Sequence, residues 1–272
     1  MRDVKAGVLR WDGEGQGGGW RPIEPPPAPQ ECPVAIVIDG MSQAVLMATP
    51  HDLHDFALGF ALTEGLVAAP EDVEGFEEAE VSAGGFPARE ARLWLRPGLA
   101  ARLAERRRSM IGPVGCGLCG VDSIEAALPR IVPVASDWSM PPADVARAMA
   151  ALTQGQVLRH RTPAIHGAAF WDGAHGLTRE DVGRHNALDK LAGALALAGL
   201  AAGQGAIVMS SRLSVDLVQK AARIGAPILI GASAPTGLAL EWAERAGITL
   251  IAHGKGATLH LFTHPPRNVA GS

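Results

Sequence analysis

The stretch from Ala206 to Ile251 alternates short apolar runs with glycine-closed helical segments, and this restricts the fold more than any other part of the chain. Ala206-Ile207-Val208-Met209 is a run of the buried-strand type. Ser214 to Ile224 follows, with Leu217, Val218 and Ala221 on one helical face and Gly225 as its stop. Pro227-Ile228-Leu229-Ile230 is the next run, Thr236 to Ala246 the next helix, and Gly247 the next stop. Ile248-Thr249-Leu250-Ile251 is the third run. Strands alternating with short helices argue for a mainly parallel, layered sheet. Such sheets take ligands beyond the carboxyl ends of their strands. Two segments are expected to emerge there, Ser210-Ser211-Arg212 and Gly231-Ala232-Ser233-Ala234-Pro235-Thr236.

The first half reads differently. Residues 1–30 carry Gly17-Gly18-Gly19 and Pro25-Pro26-Pro27 and read as a flexible arm with little to bury. Val34 to Ile38, the turn pair Asp39-Gly40 and Val45 to Ala48 predict a hairpin. Thr49-Pro50-His51-Asp52 then opens a helix, with Thr49 as cap and Pro50 in its first turn. Leu53, Phe56, Ala57 and Phe60 recur at helical spacing before Gly65. A strand is expected near Ala91–Leu95, then a basic helical segment from Arg102 to Arg108. The four prolines between Pro129 and Pro142 mark a linker. The expected organisation is thus an arm (1–30), a smaller N-terminal α+β domain (31–135), a layered α/β domain (136–266) and a short tail (267–272).

Composition narrows the function. A net charge of −4 over 272 residues gives no nucleic-acid footprint, so an anionic ligand must be met by local basic groups. The apolar stretch from Leu191 to Ala202 is broken by glycine and is too short to span a bilayer. No apolar segment of signal-peptide type follows Met1. Three cysteines make no disulfide framework, and a reducing, cytoplasmic setting is expected.

Two of those cysteines, Cys116 and Cys119, sit in the glycine-rich run Gly112 to Gly120. A thiolate is a nucleophile whose pKa falls beside cations, and Arg106, Arg107 and Arg108 lie just upstream. The pair also suits half of a zinc site, or chance. Asp181-Val182-Gly183-Arg184-His185-Asn186 precedes an apolar helical run, which sets Arg184 and His185 near a helix N-terminus suited to anions. An ordinary capped helix explains the same residues. His166 at the head of an apolar strand reads as a satisfied structural histidine. Ser210, Ser211 and Arg212 suit phosphate or a helix cap. His253-Gly254-Lys255-Gly256-Ala257-Thr258 suits close approach to an anion, or a plain hairpin turn.

Together these blocks resemble the formate dehydrogenase accessory sulfurtransferases, the FdhD family. The resemblance runs from Pro50-His51-Asp52-Leu53 and Glu64-Gly65 through Gly115-Cys116-Gly117-Leu118-Cys119-Gly120 and Glu180 to Lys190. It continues through Ser210-Ser211-Arg212, Val218-Gln219-Lys220 and Ser233-Ala234-Pro235-Thr236 to Thr263-His264-Pro265. It implies a sulfurtransferase that takes persulfide sulfur from a cysteine desulfurase. The sulfur then passes to the molybdenum cofactor, bis-molybdopterin guanine dinucleotide, before that cofactor enters the formate dehydrogenase apoenzyme. Cys116 is implied as the carrier and Cys119 as its helper. His253, Gly254, Lys255, Gly256, Ala257 and Thr258 map onto the cofactor-binding segment, with departures at His253 and Thr258. Arg184, His185, Ser211 and Arg212 are candidate neighbours of the cofactor's phosphates. The resemblance also implies a homodimer and a C-terminal domain like the cytidine deaminase fold. The deaminase zinc signature is absent, so no catalytic zinc is expected. The alternative is a cofactor or guanine-nucleotide chaperone with no covalent step.

Overall fold

The computed structural model describes residues 8–12, 19–24, 27–99, 130–131, 133–253 and 258–264. Its first part is built on a four-stranded sheet of β3 (Cys32–Ile38), β4 (Met41–Ala48), β5 (Val73–Ala83) and β6 (Phe86–Leu95), in the order β4-β3-β6-β5. The expected hairpin is β3 and β4, turning at Asp39-Gly40, both with positive φ. Helix α1 (Leu53–Thr63) covers one face of this sheet and buries Leu53, Phe56, Ala57, Phe60 and Ala61 against Val34, Ile36, Ala91 and Leu93.

Two local expectations need correction. Thr49 does not cap α1, whose N-cap is Asp52 in a left-handed conformation with no side-chain bond. The Thr49 hydroxyl instead accepts from the Val182 N–H at 3.1 Å, a tertiary partner that outcompetes the local one. The glycine- and proline-rich start also contains a hairpin, β1 (Val8–Asp12) with β2 (Gly19–Ile23). Trp11 and Trp20 face each other across it edge to face, centroids 5.5 Å apart.

The second part is a six-stranded sheet in the order β12-β11-β10-β9-β7-β8. Its strands are β7 (His166–Trp171), β8 (Gly176–Asp181), β9 (Ala206–Met209), β10 (Ile228–Gly231), β11 (Thr249–His253) and β12 (Leu259–Leu261). The central β9, β10 and β11 are parallel, as expected from their helical crossovers. The other three pairings are antiparallel, so the sheet is mixed rather than mainly parallel. The reason is that β7 and β8, like β11 and β12, are separated by only a few residues, which permits only antiparallel neighbours.

Alternate residues of the buried strands point to opposite layers. Ala206, Val208, Ile228 and Ile230 pack beneath α2 (Pro142–Gly155) with Val145, Ala148 and Leu152. Ile207, Met209, Leu229 and Leu250 pack beneath α3 (Arg184–Leu197), α4 (Val215–Arg223) and α5 (Gly237–Ala246). On α4 the inward residues are Leu217, Val218 and Ala221, all fully buried. Gly225 and Gly247 follow α4 and α5 with φ of 78° and 70°, the left-handed geometry that ends a helix. The result is an α+β first part joined to a layered second part. No helix among the described residues is long and apolar enough to cross a membrane.

The two parts meet through α1 and α3, which are buried nearly all round and accordingly rich in Ala and Gly. Their backbones cross at Gly59 and Gly193. A Cβ at Gly59 would collide with the Asp189 carbonyl, and one at Gly193 with the Asp55 carbonyl.

Candidate functional site

The strand directions bring one edge of the second sheet into focus. β8, β9, β10 and β11 all end there, and β7 begins there. His166, the Asp181–His185 block, the Ser210–Ser214 connection and the end of β11 therefore share this edge. This is the carboxyl edge, where layered sheets take ligands.

The Asp181–Lys190 block divides into two jobs. Its inward residues tie the two parts together. Lys190, with no exposed surface, donates to Asp181 Oδ2 at 2.7 Å and to the carbonyls of Thr49 (2.9 Å) and Glu180 (3.4 Å). Asp181, equally buried, also accepts from the N–H groups of Thr49 (2.9 Å) and Gly183 (2.8 Å) and from Asn186 Nδ2 (2.9 Å). Asn186 in turn donates to the Met47 carbonyl.

A second cluster lies one helical turn or more along α3. Lys220 of α4 donates to Asp189 at 2.9 Å and to Glu64 at 2.6 Å, and Thr63 donates to Asp189 at 2.5 Å. One cation here faces two carboxylates. Burial, helped by Glu64, pushes Asp189 up to about 6 against the pull of Lys220. The paired carboxylates hold Lys220 above its ordinary value despite its burial.

The outward residues form the site. Arg184 and His185 are the first two residues of α3, as the sequence predicts, and their N-cap is Gly183, which has no side chain to close the helix end. His185 Nε2 faces Asp216 Oδ2 of α4 in close contact. Burial nevertheless outweighs that carboxylate and lowers His185 to about 4, with Arg184 adding to the depression. His166 is also held below its ordinary value, first by burial and then by Arg184 and Arg159. Its neighbour Gly167 is tied to the β9 end, donating to Ser210 Oγ at 2.8 Å and accepting from the Ser210 N–H at 3.0 Å.

Other expected residues fare unevenly. Ser211 is buried, and its hydroxyl donates to the Arg212 carbonyl at 2.9 Å, so it is turned into the chain. Arg212 is exposed beside it. Thr258 is exposed on the return from β11 to β12, which form an antiparallel hairpin. The backbone of His253 ends β11 at the same edge. Gly254, Lys255, Gly256 and Ala257 lie outside the described residues, as do Cys116 and Cys119 with Arg106, Arg107 and Arg108.

Sequence reasoning missed Ser214 and Asp216. Both had a sufficient local explanation at the opening of α4, and no spacing rule links Asp216 to His185 on another helix. The reading of His166 as a satisfied histidine also fails, since its Nδ1 is buried without a hydrogen-bond partner.

Comparison with known proteins agrees in sequence and in fold. The family model described as the FdhD/NarQ family matches residues 29–269. A protein named sulfur carrier protein FdhD from Agrobacterium fabrum is 47% identical over 243 residues, covering 88% of each chain. One of the same name from Bordetella bronchiseptica is 45% identical over 244 residues, covering 89% of this chain and 87% of the relative. A crystal structure from Desulfotalea psychrophila, assigned as a formate dehydrogenase accessory protein, superposes with a TM-score of 0.67. It covers 97% of this chain and 99% of that one, and its 22% identity makes it evidence of shared fold alone. The chain belongs to the FdhD/NarQ family.

Proposed function

We propose that this chain is a sulfur carrier and sulfurtransferase that serves formate dehydrogenase. The reading is carried by relatives named sulfur carrier protein, alike over nearly their whole length. The thiolate of Cys116 attacks the outer sulfur of a persulfide on a cysteine desulfurase. A new S–S bond forms on Cys116, and the donor cysteine leaves as its thiolate, so no outside oxidant or reductant enters this step. Cys119 assists. The acceptor is bis-molybdopterin guanine dinucleotide, bound as substrate at the carboxyl edge before delivery to the formate dehydrogenase apoenzyme. Arg184, Arg212 and Lys255 supply the local positive charge, and the neutral His185 a hydrogen-bonding ring, that its phosphates need in an otherwise acidic protein.

Intact-mass measurement after incubation with a cysteine desulfurase and cysteine tests the carrier step. The unaltered chain gains one sulfur that a reductant removes, mapped to the Cys116 peptide. Cys116→Ala gains none, and Cys119→Ala still loads. Reducible sulfur on Cys116→Ala at the level of the unaltered chain refutes the assignment.

A further inference from the structure

Two polar clusters join the parts of the chain, and they differ in charge balance. Lys190 and Asp181 match one cation to one carboxylate. Lys220 instead faces two carboxylates, Glu64 at the end of α1 and Asp189 of α3, at 2.6 and 2.9 Å. Thr63 adds no charge: its hydroxyl donates to Asp189 and accepts from Lys220 Nζ at 3.0 Å. Lys220 also lies over the Phe60 ring, 5.5 Å from its centroid.

The groups around the cluster leave this surplus of negative charge in place. One turn back along α3 and α4, a neutral His185 touches Asp216. Arg223, the next cation on α4, is exposed and lies against Gly65, where a Cβ would meet its Nη1 at 2.7 Å.

A buried surplus carboxylate is relieved either by a proton or by departure to water. The two carboxylates differ in access to these routes. The Asp189 side chain is 2% exposed, whereas that of Glu64 is 33% exposed and belongs to the residue that closes α1. Asp189, which burial raises to about 6, is thus the member that takes the proton, and Glu64 the member that leaves.

Glu64 also leads into a functional-sized feature. Gly65 to Asp72 form one wall of a cleft of about 750 Å³ between the two parts, and Leu195 and Leu200 stand on the other. The start of that wall is tied back to α1 by the Leu66 and Val67 N–H groups, which both donate to the Ala61 carbonyl.

We propose that Glu64, Asp189 and Lys220 form a proton-dependent latch between the two parts, closed when Asp189 is protonated and open when Asp189 is ionised and Glu64 turns to water. In the closed state Lys220 pairs with Glu64 and holds the start of the 65–72 wall against α4. In the open state Lys220 pairs with Asp189 alone, and the wall is released. Closing takes up one proton from solvent and needs no other reactant. The latch is independent of the sulfur-carrier reading.

Hydrogen–deuterium exchange of the full chain at about pH 5 and about pH 7.5, with labelling times scaled for the intrinsic exchange rate, tests it. The Leu66 and Val67 amides open about 10-fold more often at the higher pH. That is the ratio given by a carboxyl whose pKa falls from about 6 to its ordinary 3.8 on opening. Asp189→Asn keeps the Lys220–Glu64 pair at both pH values, so its amides at the higher pH stay as protected as those of the unaltered chain at the lower. A cluster that merely holds the parts together loses protection in that variant, and this outcome overturns the latch. Glu64→Gln leaves Lys220 and Asp189 matched one to one, and the ratio falls below about 2-fold. Should Asp189→Asn fail to fold, the unaltered chain and Glu64→Gln decide. A ratio below about 2-fold in the unaltered chain, or an undiminished ratio in Glu64→Gln, overturns the latch. An equal ratio in the amides of α2 marks opening of the whole chain and overturns it as well.

Discussion

Lys190→Met lowers the stability of the folded chain by about 3–5 kcal/mol, the cost of leaving a buried charge without its counter-ion. Lys190 and Asp181 have no exposed surface, and all three ammonium protons of Lys190 are used. Methionine fills most of the space but leaves the Asp181 carboxylate facing an apolar stem, together with the carbonyls of Thr49 and Glu180. Replacing the ion pair by two apolar residues often restores stability elsewhere. It will not do so here. Asp181 also holds the N–H groups of Thr49 and Gly183 and the amide of Asn186, and an apolar residue leaves all three unsatisfied. The Lys190→Met, Asp181→Leu double variant is therefore no more stable than Lys190→Met alone. Urea midpoints at constant slope measure both effects. A Lys190→Met chain within about 1 kcal/mol of the unaltered one contradicts the account.

That network explains what the sequence could and could not disclose. The crossover strands, the Ser214–Gly225 and Thr236–Gly247 helices and the start of α3 were legible because each rests on local rules of periodicity, capping and glycine stops. Thr49 shows the limit. Its position before Pro50 and Asp52 satisfies the rule for a cap, and a partner far along the chain takes its hydroxyl instead. The Asp181–Lys190 block was conspicuous for the same reason it was ambiguous. Asp181, Asn186, Asp189 and Lys190 face the first part, while Arg184 and His185 face the edge, and one run of letters carries both roles. The direction of β7 followed from its short turn to β8, which the reading of alternating strands and helices did not weigh. The His185–Asp216 contact has no local signature at all.

The same two helices set opposing responses to pH. His185, lowered by burial to about 4, binds fewer protons folded than unfolded between pH 4 and its ordinary value near 6.5. Stability therefore rises with pH across that window on its account, by on the order of 3 kcal/mol. Asp189, raised by burial to about 6 from its ordinary 3.8, binds more protons folded than unfolded. Its contribution is fully present below pH 4 and is lost as pH rises through 6, again by on the order of 3 kcal/mol. Lys220, held above its ordinary value, loses its contribution only in alkali, outside the window. The two slopes thus offset each other in the unaltered chain, and removing one exposes the other. Relative to the unaltered chain, His185→Gln gains stability as pH falls from 6.5 to 4, and Asp189→Asn loses it. The shared window makes the comparison a difference between variants at each pH, so other titrating groups, including the lowered His54 and His166, largely cancel. Urea midpoints at half-unit steps read the two curves. Parallel curves for His185→Gln and the unaltered chain mean that His185 is not held neutral by burial, and that Asp216 rather than burial governs its charge.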